Sequence, residues 1–187
     1  LHRQQVCLGA RESTLRRAMV VAAHADDAEF GSSGTVARWC SENWEVVYVI
    51  CTDGSKGSSD PQMTQEKLKK LRRKEQIAAG EVLGLKYVVF LDREDSMLQP
   101  TLALRRDIAR EIRRHRPEVL VCQNPTRNLR GHPDHLAAGE AALSAVFPTA
   151  RDRLIFPELL DEGLEPHNVS EVWVMGGGEP DLWVDVT

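Results

Sequence analysis

The chain has 187 residues, 42% of them hydrophobic and 28% charged, with a formal net charge of −4. That length suits one domain with a sizeable core. The mild acidity excludes a dedicated nucleic-acid binder, which carries a strong basic bias.

In chain order, Ala18 to Ala23 reads as a buried strand that runs straight into His24-Ala25-Asp26-Asp27-Ala28-Glu29. A helix follows over Gly34 to Asn43, then a Val-, Tyr- and Ile-rich strand from Glu45 to Cys51. Gly, Ser and Pro mark Thr52 to Pro61 as a loop. Thr64 to Leu83 has helical periodicity, with Leu68, Leu71, Glu75, Ile77, Ala78 and Val82 on its turns and Gly84 as the stop. The basic stretch Lys67 to Lys74 on it reads as a solvated face. A strand over Lys86 to Leu91 precedes a helix over Thr101 to His115, with Leu102, Leu104, Ile108 and Ile112 on its apolar side and Pro117 beyond it. Glu118 to Cys122 is a further strand, and Pro133 to Val146 an Ala-rich helix. Glu171 to Met175 and Leu182 to Val186 read as late strands.

Strands alternating with helices of this length imply an α/β fold, a Rossmann-like, mostly parallel sheet flanked by helices. Ligands in such sheets bind beyond the carboxyl ends of the strands. The chain, 1–187, is expected to form one domain, with residues 1–17 as an N-terminal extension. It starts without Met and ends on a strand-like run, which fits trimming at either end. No run approaches the roughly 18 apolar residues of a membrane span, and the polar N-terminus does not read as a secretory signal. Cys7, Cys40, Cys51 and Cys122 form no C-x-x-C pair. Cys51 and Cys122 end apolar runs as buried free thiols do, so a reducing cytoplasm is the expected compartment.

The chemistry concentrates in two clusters. His24, Asp26 and Asp27 follow the first strand, and His132-Pro133-Asp134-His135 opens a later helix. Alone, the first could be a helix N-terminus with carboxylates on the dipole, and the second a turn with Pro at the first helical position. Together on one rim they read as a divided metal site. Catalytic zinc takes three nitrogen and oxygen ligands and keeps one position for water, and a His/Asp/His set meets that need. Adjacent aspartates do not both face one metal in a regular backbone. One can ligate and the other can accept a proton from the water. Glu29 reads as support or a cap, and Gly31, Ser32, Ser33 and Gly34 as a tight backbone near the metal. His2, His115 and His167 lie outside the clusters.

Ala23-His24-Ala25-Asp26-Asp27-Ala28-Glu29 resembles the A-H-P-D-D-x-E signature of the LmbE-like (PIG-L) zinc-dependent N-acetylglucosaminyl deacetylases. His132-Pro133-Asp134-His135 matches that family's H-P-D-H, and Arg72-Arg73-Lys74-Glu75 with Leu83-Gly84 matches its R-x-x-E before a helix ending in L-G. The resemblance runs from about Met19 to the C-terminus. It implies Zn²⁺, or another divalent transition metal, on His24, Asp27 and His135, with Asp26 as general base. It places His132 at the oxyanion or the leaving amine, oriented by Asp134. Arg72 and Asp95 would contact the substrate, with a surface ion pair as the alternative for each. The implied partner is a small amino-sugar substrate, and family members are often homo-oligomers. Ala25 stands where the family has Pro, so metal binding is expected to survive in a looser site. Two other readings share these residues: an amidase on another amide or thiol conjugate, and a non-catalytic sugar-binding module.

Overall fold

A computed structural model of the chain describes residues 15–126, 131–176 and 179–187. His2, Cys7 and most of the expected N-terminal extension lie outside the described residues. The elements are β1 (Arg17–Ala22), α1 (Asp27–Ser41), β2 (Glu45–Thr52), α2 (Gln65–Leu83), β3 (Tyr87–Arg93), α3 (Leu102–His115), β4 (Val119–Gln123), α4 (Pro133–Ser144), α5 (Glu158–Asp161) and β5 (Glu171–Met175).

The strands form one sheet in the order β3-β2-β1-β4-β5, with every pairing parallel. The chain builds outward from β1 to β3, then returns to lay β4 on the other side of β1. The gap between the carboxyl ends of β1 and β4 is therefore the topological switch point, where open α/β sheets bind ligands. Helices cover both faces, so β1, β2 and β4 are nearly continuous apolar runs. Ala18, Val20 and Ala22 pack with Val36 and Trp39 of α1 and Leu83 of α2. The alternate residues Met19, Val21 and Ala23 pack with Leu104, Ile108 and Ile112 of α3 and the Ala face of α4. Cys51 and Cys122 are buried free thiols, as expected.

Local signals set both ends of α2 and the start of α3. Thr64 and Thr101 cap α2 and α3 by accepting from the backbone N–H of Lys67 and Leu104. Gly84 ends α2 at φ 80°, a left-handed turn that glycine adopts without a Cβ clash.

Several expectations need correction. The first helix begins at Asp27, seven positions before Gly34, so the charged cluster is itself the strand-to-helix turn. Gly31 and Gly34 lie inside α1 as close-packing positions: a Cβ on Gly31 would come within 2.4 Å of Met175 Sδ, and one on Gly34 within 3.2 Å of Val186. In α2, Leu71, Ile77 and Val82 are exposed, and Gln76 and Gly80 are the buried residues. In α3, Leu102 is exposed while Leu104, Ile108 and Ile112 are buried. α4 passes into a π-helical turn at Ala145, so the helical path reaches Val146 as expected and breaks at Phe147 (φ −139°, ψ 130°) before Pro148. Residues 182–186 form no strand. They cross α1, where Arg38 donates to the Asp185 carbonyl at 2.7 Å.

α4 owes its closeness to the sheet to Gly139. A Cβ there would lie 2.2 Å from the Gln123 carbonyl oxygen, a backbone atom that cannot swing aside. Gly139→Ala is expected to destabilise the fold by about 1–3 kcal/mol, the usual cost of overpacking. Thermal unfolding measures it, and an unchanged midpoint would refute this packing role.

Candidate active site

The site is assembled at the switch point by three strand ends. Ala23 follows β1, and its N–H donates to Gln123 Oε1 at 2.9 Å, at the end of β4. Its carbonyl accepts from Thr52 N and Thr52 Oγ1, both at 2.8 Å, at the end of β2. The next residue, His24, is thereby fixed between β2 and β4.

Asp27 opens α1 and faces back toward His24. Its Oδ2 accepts from His24 N at 2.8 Å and lies 3.2 Å from His24 Nδ1. Its Oδ1 lies 3.0 Å from His135 Nε2, which is 3.3 Å from His24 Nδ1. Three donors from two ends of the chain thus meet at mutual spacings of 3.0–3.3 Å. Ligands about 2.0–2.1 Å from a tetrahedral zinc sit roughly 3.3–3.4 Å apart, so these residues fit such an ion.

Two overlapping donor groups share His24: His24 with His132 and His135, and His24 with Asp95 and Asp134. His135 meets the Nδ1 edge of the imidazole, and Asp95 and Asp134 meet the Nε2 edge. On the Nε2 edge, Asp134 Oδ2 is at 3.0 Å and Asp95 Oδ1 at 3.4 Å. Asp134 is wholly buried, and its two oxygens also accept from Ser96 N at 2.7 Å and Leu98 N at 3.1 Å. Those bonds offset the cost of burying a carboxylate. A carboxylate on one imidazole nitrogen fixes the tautomer and frees the other nitrogen for a metal. The Nδ1 edge, facing Asp27 and His135, is therefore the side that could hold a metal, while Asp134 and Asp95 flank the Nε2 edge.

This geometry changes the parts expected of Asp134 and Asp95. The Asp134 carboxylate is 4.0 Å from His132 Nδ1 and hydrogen-bonds His24 instead. His132 is oriented by the backbone. It is the N-cap of α4, and its Nδ1 accepts from Asp134 N at 3.2 Å. That acceptor role leaves the ring's proton on Nε2, free to donate. The His132 ring lies 4.7 Å from that of His24, and its side chain is 40% exposed. Asp95 is buried, and it accepts from Lys56 N and Ser96 Oγ, each at 3.1 Å. It forms part of the site wall rather than an open carboxylate for sugar hydroxyls.

Asp26 lies between His24 and Asp27 in sequence, at φ 98°, ψ −32°. A non-glycine residue held there stores about 1–3 kcal/mol of strain, a cost that recurs at active sites. Its carboxylate is about half exposed and accepts from Arg72 Nη2 at 3.0 Å. Arg72 Nη2 also donates to the Ala25 carbonyl at 3.0 Å. The loop that lacks the family's proline is tied to α2 through this arginine.

The electrostatics separate the two aspartates. Burial alone would raise the pKa of Asp27, but hydrogen bonds with His135 and His24 outweigh it and hold the carboxyl well below the usual range. Asp26 goes the other way: burial raises it, Arg72 opposes, and the charge of Asp27 adds to the rise. His24 is raised because Asp27 and Asp134 outweigh the lowering by burial. An anionic Asp27 and a more basic Asp26 match one ligand and one proton acceptor.

Sequence reasoning missed Thr52, Gln76 and Gln123. Each is an uncharged polar residue at or near a buried strand end or helix face, and none belongs to a motif. A buried glutamine among helix-facing positions was the available signal. His115 and His167 lie away from the site, where His115 pairs with Glu111 and His167 bonds the Pro117 carbonyl.

The fold and the cluster together define a Rossmann-like α/β protein with a divided His/Asp metal-type centre at its switch point. The chain belongs to the PIG-L family (GlcNAc-PI de-N-acetylase), whose model matches residues 19–146. It is 30% identical over 173 residues to a diacetylchitobiose deacetylase of Thermococcus kodakarensis, covering 92% of this chain and 64% of that one. It is 31% identical to a mycothiol S-conjugate amidase of Streptomyces coelicolor, covering 76% of this chain and 55% of that one. Its structure resembles the N,N'-diacetylchitobiose deacetylase from Pyrococcus horikoshii in complex with an inhibitor. The TM-score is 0.88 at 28% identity, over 92% of this chain and 64% of that one. The chain thus spans less than two thirds of the length of each of these relatives. Among the described residues, no helix is long and apolar enough to cross a membrane.

Proposed function

We propose that the protein is a metal-dependent hydrolase that removes the acetyl group from an N-acetylglucosamine-containing small molecule. The observation that carries this reading is the trio His24 Nδ1, Asp27 and His135 Nε2 at 3.0–3.3 Å from one another, with a separate carboxylate on Asp26 next in sequence. The deacetylase names of the relatives support the substrate class.

A zinc ion on His24, Asp27 and His135 would supply Lewis acidity for the acetamide carbonyl and a more acidic water. The protein's own groups handle the rest. Asp26 accepts a proton from the attacking water, and the new C–O bond places negative charge on the former carbonyl oxygen. His132 Nε2–H donates to that oxygen as its charge develops. The proton held by Asp26 passes to the amine nitrogen as the C–N bond breaks, leaving acetate and a free amino sugar. Arg72 holds Asp26 in place, and the part of its guanidinium turned to solvent can bind substrate hydroxyls.

The direct test is acetate release from N-acetylglucosamine conjugates, with and without a chelator. Chelator-sensitive release is expected. Bound metal without turnover on a broad acyl-amide panel would favour the sugar-binding module. Turnover confined to thiol conjugates would favour the amidase reading, which the Streptomyces relative makes concrete.

Asp134 supplies a separate check. Asp134→Asn is expected to weaken metal affinity about 10- to 100-fold, the usual effect of losing a carboxylate behind a ligating histidine. Competition against a chromogenic chelator measures it. Parent-like affinity would show that Asp134 does not orient His24.

A further inference from the structure

Gln76 is 2% exposed in the middle of α2. Its carboxamide spans two groups of the first cluster. Oε1 accepts from the Asp26 N–H at 3.3 Å, and Nε2 donates to Glu29 Oε1 at 2.6 Å. The partners fix which way the amide faces, because the reverse would set NH₂ against N–H and a carbonyl oxygen against a carboxylate. Only a side chain with one donor and one acceptor serves both.

What that bridge restrains is the conformation of Asp26. The residue occupies the N-cap position of α1. An aspartate there ordinarily takes extended backbone and turns its carboxylate onto N–H groups of its own first turn. Asp26 does neither: its φ is 98°, and its side chain makes no capping bond. In the ordinary capping geometry the carboxylate would be occupied by the helix N–H groups and turned away from the site. The α2 face prevents this at two points one helical turn apart. Arg72 holds the Ala25 carbonyl and the Asp26 carboxylate, and Gln76 holds the Asp26 N–H.

We propose that Gln76, anchored by Glu29, is a positioning residue that keeps Asp26 out of its helix-capping conformation so that its carboxylate stays available as the proton acceptor. The proposal rests on the reading of Asp26 as the base. Gln76 touches neither the metal-ligand atoms nor the reacting groups, so its removal should act on turnover alone.

The test uses the metal-loaded full chain. Gln76→Met keeps the side chain's length and removes both hydrogen bonds. It is expected to lower kcat about 10- to 100-fold, the range for a misplaced catalytic group. KM and bound metal per chain should stay at parent values. In a crystal structure of the variant, Asp26 should move to extended φ with its carboxylate on the N–H of Ala28 or Glu29. Within an Asp26→Asn background, the same substitution should leave the residual rate unchanged. Glu29→Met, which frees the anchor without touching Asp26, should give the same loss in kcat and keeps the proposal testable if Gln76→Met does not fold. An equal loss in both Asp26 backgrounds, a loss carried by KM or by metal content, or an unmoved Asp26 φ would overturn the proposal. A fully active Asp26→Asn protein overturns the base reading. A parent-like Gln76→Met beside a crippled Asp26→Asn overturns only the part given to Gln76.

Discussion

Asp26→Asn is expected to bind metal as the parent does and to release acetate about 100- to 10,000-fold more slowly, the range for losing a general acid–base group. The amide keeps the size of the carboxylate and can still accept from Arg72, so the loop should hold its shape. It cannot take a proton from water at neutral pH. The separation between Asp26 and the proposed ligands makes this variant informative: the Asp27 carboxylate is engaged by His24 and His135, while that of Asp26 meets Arg72. Steady-state acetate release, paired with metal analysis, gives the answer. Full activity in a metal-replete Asp26→Asn protein would remove Asp26 from the mechanism.

The second large effect is expected at His135. It is the one proposed ligand that comes from the downstream cluster, and it reaches Asp27 Oδ1 at 3.0 Å and His24 Nδ1 at 3.3 Å. His135→Ala leaves a two-donor site, below the three protein ligands that catalytic zinc centres use. Loss of stoichiometric metal and of measurable turnover is the expected outcome. The fold should survive, because His135 sits in the first turn of α4, whose packing on the sheet is carried by Ala137, Ala138, Ala141 and Ala142. Metal content by elemental analysis and folding by circular dichroism separate these effects. Stoichiometric metal in a folded His135→Ala protein would show that the centre uses other donors, with His132 next in line.

The strands were legible because burial on both faces demands apolar runs, and β1, β2 and β4 have them. The middle helices were legible from their caps at Thr64, Gly84 and Thr101. The start of α1 was not, since Gly31, Ser32, Ser33 and Gly34 have low helix propensity. Both glycines of that run pack closely against residues from distant parts of the chain, Gly31 against Met175 and Gly34 against Val186. The buried face of α2 was not legible from its periodicity, because Gln76 and Gly80 are its buried residues and Gln76 and Arg72 engage the Asp26 loop.

Sequence alone determined the chemistry on offer: two His/Asp clusters after strands of a parallel sheet, a motif pair that resembles one family, and two adjacent aspartates. Those features are local, set by residue type and by position after an apolar run. Only the tertiary structure decided which of these side chains meet. It placed Asp134 behind His24 rather than His132, turned Asp95 inward, and gave Gln76 the Asp26 N–H. The reason is physical: hydrogen-bond partners are chosen within about 3 Å, and α2, the loop after β3 and the start of α4 come that close only when the sheet sets β2 and β4 on either side of β1.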